Sequence, residues 1–330
     1  MIFNKSNNGS DELLTATGSY YKSNDFARIE MEVELAQEEV AELIGSAVME
    51  RADIFYNGDN YQDDDEQYDV DNSLVKRLQA CVGMLAAIRY YQAVDVSHED
   101  SGRKVKIDST NEKLPWEWML EKDNAVQLRK YHRVTDLLIK YLELHEDDIE
   151  EWAESNAQKT ARGLFISNAE MFDTIFPIDK SRAFYLRVLP FNKRVQEKYI
   201  KDILGTTVYD TLIEELQADN VSEDNAEMLT YVREAIPWKV MEMAIKSLSL
   251  QVIPEGVVQQ FFSNLQTMKA SQLGSIDMIA KVGNYFKLQS DEHLDNFKTY
   301  VMSLDPEESE ETDDTDLLPT NDADNKYFRT

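Results

Sequence analysis

The chain has 330 residues, with 63 Asp or Glu against 34 Lys or Arg, a net charge of −29 and a hydrophobic share of 42%. That is a globular composition with length for one large or two ordinary domains, and its charge disfavours a grip on nucleic acid built on counterion release. The single cysteine, Cys81, excludes an internal disulfide, and the apolar runs between charges are too short for a membrane span or a secretory leader.

Residues 1–25 are polar, with apolar anchors at Leu13, Leu14, Tyr20 and Tyr21 in LLTATGSYY. They read as an N-terminal arm that orders on a partner. From residue 26 a helical unit is predicted. Leu35, Val40, Leu43, Ile44, Ala47 and Val48 keep three- and four-residue spacing, with Glu34, Glu38, Glu39 and Glu42 falling mainly between them. Gly45 beside that stripe costs about 1 kcal/mol against alanine in a helix, so it ends a helix or lets another approach closely. The acidic run GDNYQDDDEQYDVDNS, residues 58–73, lacks the glycine and glutamate spacing of a calcium loop and reads as solvated. A second helix is predicted from about Asn72 to Gln92, with Cys81 as a buried thiol in ACVGMLAAI. A β-like VDV with a turn at Gly102 follows, then a third helix over Asn124–Leu144, closing a unit at 26–144.

Residues 145–183 are too apolar for a free linker. Phe165, Ile166, Ala169, Phe172 and Ile175 have helical spacing that Pro177 stops, and Trp152 anchors one end, so this connecting segment is predicted to pack on both sides. A second unit spans 184–304. Its long helix runs from an N-cap at Ser222 to Leu248, kinked or interrupted at Pro237, followed by a β-like LSLQVIPEG turning at Gly256 and a helix over Ser275–Leu304 broken near Gln289. Residues 305–330 hold 10 acidic residues against Lys326 and Arg329, and form an acidic tail with anchors at Leu317, Leu318, Tyr327 and Phe328.

The two units echo each other. Val40, Leu43, Ile44, Gly45, Ser46 and Val48 match Ile200, Ile203, Leu204, Gly205, Thr206 and Val208 at one constant offset. Met84, Ala87, Ile88 and Arg89 match Met241, Ala244, Ile245 and Lys246 at an offset three residues shorter. Two matched blocks in the same order indicate a duplicated domain. The fold class expected is mainly α, with two tandem helical-bundle units, short β-like stretches and a packed connecting segment. The predicted core is Leu43, Ile44, Val48, Leu85, Ile88, Ile203, Leu204, Val208, Met241 and Ile245.

No motif for catalysis stands out. Phosphate loop, zinc spacing and nucleophile elbow are lacking, and His98, His132, His145 and His293 are scattered. His145 with Asp147 and Asp148 reads as a solvated helix end. The expectation is a non-enzymatic protein without catalytic residues, metal or cofactor.

One resemblance adds to this. LIKYLELHEDDIEEWAES, GLFISNAEMFDTIFPIDKSRAFYLRVLPF and YIKDILG, with LSLQVIPEGVVQQF, resemble an uncharacterised family encoded in the structural gene blocks of tailed phages and prophages of gut bacteria. The likeness covers about 26–304 and rests on the order FISNA…F…I…SR..F; the acidic run at 58–73 and the acidic tail depart from it. The resemblance implies a virion protein made in the host cytoplasm. The expected role is a head–tail connector or neck-ring adaptor, homo-oligomeric beneath the portal, contacting portal and tail or neck proteins, with DNA only as passing cargo. The candidate assembly contacts are Leu13, Leu14, Tyr20, Tyr21, Leu317, Leu318, Tyr327 and Phe328. Two other readings of the residues stay open: an acidic nucleic-acid mimic that binds a basic partner, and a metal-dependent hydrolase using the acidic clusters.

Overall fold

In the computed structural model the described residues are 1–20, 23–61, 69–99, 102–104, 116–218, 220–248, 250–253, 256–259 and 276–304. The first half comprises α1 (Gly9–Thr17), α2 (Glu30–Ile44), α3 (Ser46–Asn57), α4 (Val70–Val94), a hairpin of β1 (Ser97–Glu99) and β2 (Gly102–Lys104), and α5 (Glu117–Leu144). Three short helices, α6 (Glu150–Ala153), α7 (Asn156–Arg162) and α8 (Ala169–Ile175), connect it to the second half. There α9 (Arg182–Val195) passes through a π-helical turn, Gln196–Ile200, into α10 (Lys201–Gln217). Then come α11 (Glu223–Ser247), a hairpin of β3 (Leu250–Ile253) and β4 (Gly256–Gln259), and α12 (Ile276–Leu304). The fold is therefore mainly α, with two tandem units of one plan: a glycine-broken helix, a long helix, an antiparallel hairpin and another long helix.

The glycines matched in sequence do the same work in both units. Gly45 separates α2 from α3 at φ +101° and ψ 133°, and Gly205 bends α10 at φ +73° and ψ 163°. Positive φ with extended ψ is nearly closed to residues that carry a Cβ. A Cβ at Gly205 would meet no atom within 4 Å, so the cost of replacing it is in the backbone alone. Gly205→Ala is expected to lower stability by about 1–3 kcal/mol in urea denaturation; an unchanged midpoint and slope would contradict the strained bend.

Several boundaries move relative to expectation. Val94 ends α4, so VDV precedes the first hairpin instead of forming its strand. Gly102 and Gly256 each open the second strand of a hairpin. α5 starts at Glu117, α11 continues through Pro237, and α12 runs past Gln289 without a break. Proline removes one donor, and the long packed interface of α11 with α12 carries the helix across it. Ser222 has the extended backbone of an N-cap, but its hydroxyl donates to Glu215 instead of capping.

The buried apolar side chains fall into two clusters, one drawn from Ile2 to Trp152 and the other from Ala161 to Phe297. The first cluster overturns the expected N-terminal arm. Ile2, Phe3, Leu13 and Tyr20 are buried, and α1 lies on α4. A Cβ on Gly83 of α4 would stand only 3.3 Å from Leu13 and 3.4 Å from Phe3, so this glycine permits the close approach. Of the predicted core, Ile44, Val48, Leu85, Ile88 and Leu204 are buried, and Leu43, Ile203, Met241 and Ile245 are partly buried. Val208 is the exception, 39% exposed where its counterpart Val48 is 0%.

Candidate functional site

The segment carrying FISNA…F…I…SR..F lies where the two halves meet, and its residues act as caps and pins. Phe165, Ile166 and Phe172 are fully buried. Asn168 caps α8 by accepting from the Met171 N–H at 2.8 Å, and Ser181 caps α9 through Phe184 at 3.3 Å. Side chains of the second half hydrogen-bond to the backbone between α7 and α8. Gln196 accepts from the Phe165 N–H at 2.8 Å and donates to the Gly163 carbonyl at 2.8 Å and to the Tyr209 hydroxyl at 2.9 Å. Tyr185 and Asn192 both donate to the Ile166 carbonyl, at 2.7 and 2.9 Å, and Arg233 donates to Phe165 at 3.0 Å. Burial pushes the Tyr185 hydroxyl well above its ordinary pKa, so it remains a donor.

Across the junction, Asp136 on α5 accepts from the Ala183 N–H at 3.0 Å and from the Ser181 hydroxyl at 3.2 Å, placing an anion at the start of α9. Arg182 reaches Glu143 at 2.5 Å and Glu170 at 3.0 Å. Burial opposes its charge, and the two carboxylates outweigh that and raise its pKa. These contacts fix one half against the other. With this geometry in place, comparison with known families becomes informative: a family of unknown function, DUF6712, matches residues 35–162 and 200–304. The chain belongs to that family. The two matched stretches each contain one glycine-broken helix, one hairpin and the long helices flanking it. No curated protein and no solved structure matches the chain.

Surfaces suited to interaction lie elsewhere than expected. Leu13 and Tyr20 belong to the chain's own core, so they are not free contacts, while Leu14 is partly exposed. Tyr21, Leu317, Leu318, Tyr327 and Phe328 lie outside the described residues, as do residues 62–68 of the acidic run. One outward apolar display is the leading part of α5. Thr135, Leu138, Ile139, Tyr141 and Leu142 bury its far end, whereas Trp116, at 70% exposure, and Trp118, Met119 and Leu128 face solvent. The sequence signal was LPWEWML, too apolar for a solvated loop and directly before a helical pattern.

A second apolar area sits where α8, α11 and α12 converge. Phe176 packs edge-on against Trp238 and Phe286, and Trp238 stacks on His293 with an interplanar angle of 11°. Tyr285 and Leu288 on α12 project beside it. Third, each glycine break opens a groove: one between Leu43–Ala47 and residues 150–157, the other between 202–208, Met228 and the end of α12.

Among the described residues no three His, Cys, Asp or Glu side chains converge to hold a metal. His145 meets Asp148 at 3.3 Å at the end of α5. Cys81 is buried, and burial pushes its thiol up to about 12, which keeps it protonated and unreactive. No helix among the described residues is long and apolar enough to cross a membrane.

Proposed function

We propose that this protein is a non-enzymatic structural component of a tailed-phage virion, a head–tail connector or neck-ring adaptor that assembles as a homo-oligomeric ring beneath the portal. The observation that carries the proposal is the start of α5, where Trp116, Trp118, Met119 and Leu128 are exposed, whereas the buried side chains described on this helix lie toward its far end. Large aromatic and methionine side chains so displayed are the usual anchors of protein interfaces. A ring needs two unlike complementary faces on each subunit, and two diverged halves held rigidly together supply them. The net charge of −29 suits a channel through which DNA slides without sticking. Virion location, portal and neck partners, and DNA as passing cargo follow from this reading and from the family resemblance of the motif segment.

The test is assembly. Sedimentation velocity and negative-stain microscopy of the full chain, alone and with purified portal and neck proteins, should show ring particles. Trp116→Ala with Trp118→Ala should abolish them without lowering the melting temperature. A chain that stays monomeric with those partners, or a double variant that assembles as the parent does, overturns the proposal. The charge also favours a second reading, capture of a strongly basic protein. That reading requires affinity for a basic partner falling steeply with salt, and a complex of fixed small stoichiometry.

A further inference from the structure

The two units differ in what happens after their last long helix. In the first, the chain leaves α5 and turns back over α3: Ile149 and Trp152 are fully buried. Arg51 on α3 holds this segment through the Asp148 carbonyl and the Glu151 carboxylate, both at 2.8 Å, while also binding Asp71 at the start of α4 at 2.7 Å. Under that cover Val48 is inaccessible. In the second unit no described segment covers the corresponding place. Gly205, Val208, Met228, Val301, Met302 and Leu304 line the groove between the bend in α10, the start of α11 and the end of α12. Met302 and Leu304 are each 54% exposed, and Val208 is uncovered where Val48 is covered.

We infer that this groove is the seat of the chain's own C-terminal segment, with Leu317 and Leu318 taking the place that Ile149 and Trp152 take in the first unit. Three observations select this occupant. The groove ends at Leu304, the residue from which the segment departs. The 12 residues Asp305–Asp316 reach about 40 Å when extended, ample to double back onto a groove that begins at their own attachment point. The chemistry also repeats: HEDDIEEW in the first unit is an acidic run followed by apolar anchors, and so is EETDDTDLL in the tail. Leu317 and Leu318 therefore close the second unit within one molecule, and Tyr327 and Phe328 remain for other contacts. This inference rests on the duplicated fold and is independent of the proposed virion role.

The experiment uses the full chain with Val208→Cys and Leu317→Cys. The native thiol, Cys81, is buried and stays out of the reaction. A control keeps these two cysteines and adds Leu318→Asp, which removes the neighbouring anchor at the same tether length. Under mild oxidation at low protein concentration the pair with Leu318 intact should form an intramolecular disulfide about tenfold faster than the control, because docking raises the effective concentration above that of a free tether. Independently, Leu317→Asp with Leu318→Asp should raise amide hydrogen exchange in residues 202–208 and 298–304 and leave 40–48 unchanged. Equal cross-linking rates, or exchange unaltered by the aspartates, overturn the inference. Disulfides found only between two molecules overturn closure within one chain and show exchange of the segment between copies.

Discussion

Removing residues 1–20 should unfold the first half of the protein. Ile2 and Leu13 are fully buried, Phe3 and Tyr20 nearly or wholly so, and all four belong to the cluster that includes α2, α3 and α4. Burying a large apolar side chain is worth about 1.5–3 kcal/mol, so four of them represent about 6–12 kcal/mol, the scale of a whole domain's net stability. Polar ties add to the loss. The Ile2 N–H donates to Gln37 at 3.2 Å, Gln79 donates to the Ile2 carbonyl at 2.7 Å, and the Lys5 N–H donates to the Tyr56 hydroxyl at 2.9 Å. Tyr56 in turn donates to Glu12 at 2.7 Å, so the deletion leaves buried donors and acceptors on α3 and α4 without partners. Circular dichroism of the variant lacking 1–20 should show reduced helix content and loss of one thermal transition. As a milder form, Leu13→Ala should cost about 2–5 kcal/mol, while Leu14→Ala should stay within about 0.5 kcal/mol. A deletion variant with the parent's melting curve would mean that the segment is dispensable.

The sequence pattern misjudged that segment for a physical reason. A nine-residue helix presents few inward positions, and α1 offers Leu13 as its one large buried apolar side chain, so no stripe repeats long enough to be read. The partners that bury it are on α4, whose own pattern is apolar on nearly every side and does not say which face is spoken for. Duplication was legible because it needs only two stretches of one chain to agree. The matched Gly45 and Gly205 adopt the same rare backbone region. Burial transferred less well across the repeat than backbone conformation did. Val208 carries the pattern of Val48, but its exposure depends on whether another segment lies over it, which the helix's own spacing cannot encode. At the junction, the caps Asn168 and Ser181 are local and readable, whereas Arg182 finds Glu143 across a separation of 39 residues. The projecting tryptophans were missed because the expected helix began at Asn124, beyond them.

Truncating Glu242 should be the most damaging single change in the second half. Lys239 and Glu242 lie one turn apart on α11, with side chains only 10% and 9% exposed, and they meet at 2.7 Å. Lys246 donates to the other carboxylate oxygen at 2.8 Å, and Ser290 on α12 donates to the first at 3.2 Å, so the carboxylate joins the two long helices. The Lys239 ammonium also lies 4.9 Å from the centre of the Tyr199 ring and 3.7 Å from Asp291. Burial raises the Glu242 pKa, but hydrogen bonds from Lys239 and Lys246 outweigh it and hold the carboxyl below its ordinary value of 4.5. A depressed carboxylate contributes stability that is fully present above its unfolded value and lost as pH falls through the folded one. The parent should therefore lose stability below about pH 4.5, and Glu242→Gln should flatten part of that loss. Glu242→Ala leaves a buried ammonium with its main partner removed, which costs about 3–5 kcal/mol. Lys246, being half exposed, accounts for little of this. Replacing both ions together, Lys239→Met with Glu242→Leu, removes the desolvation cost along with the attraction and should restore most of the loss. Urea denaturation of the parent, the single and the double variant at neutral pH decides the matter. A single variant within about 1 kcal/mol of the parent, or a double variant no better than the single, would mean that the pair is solvated in solution and does not join the helices.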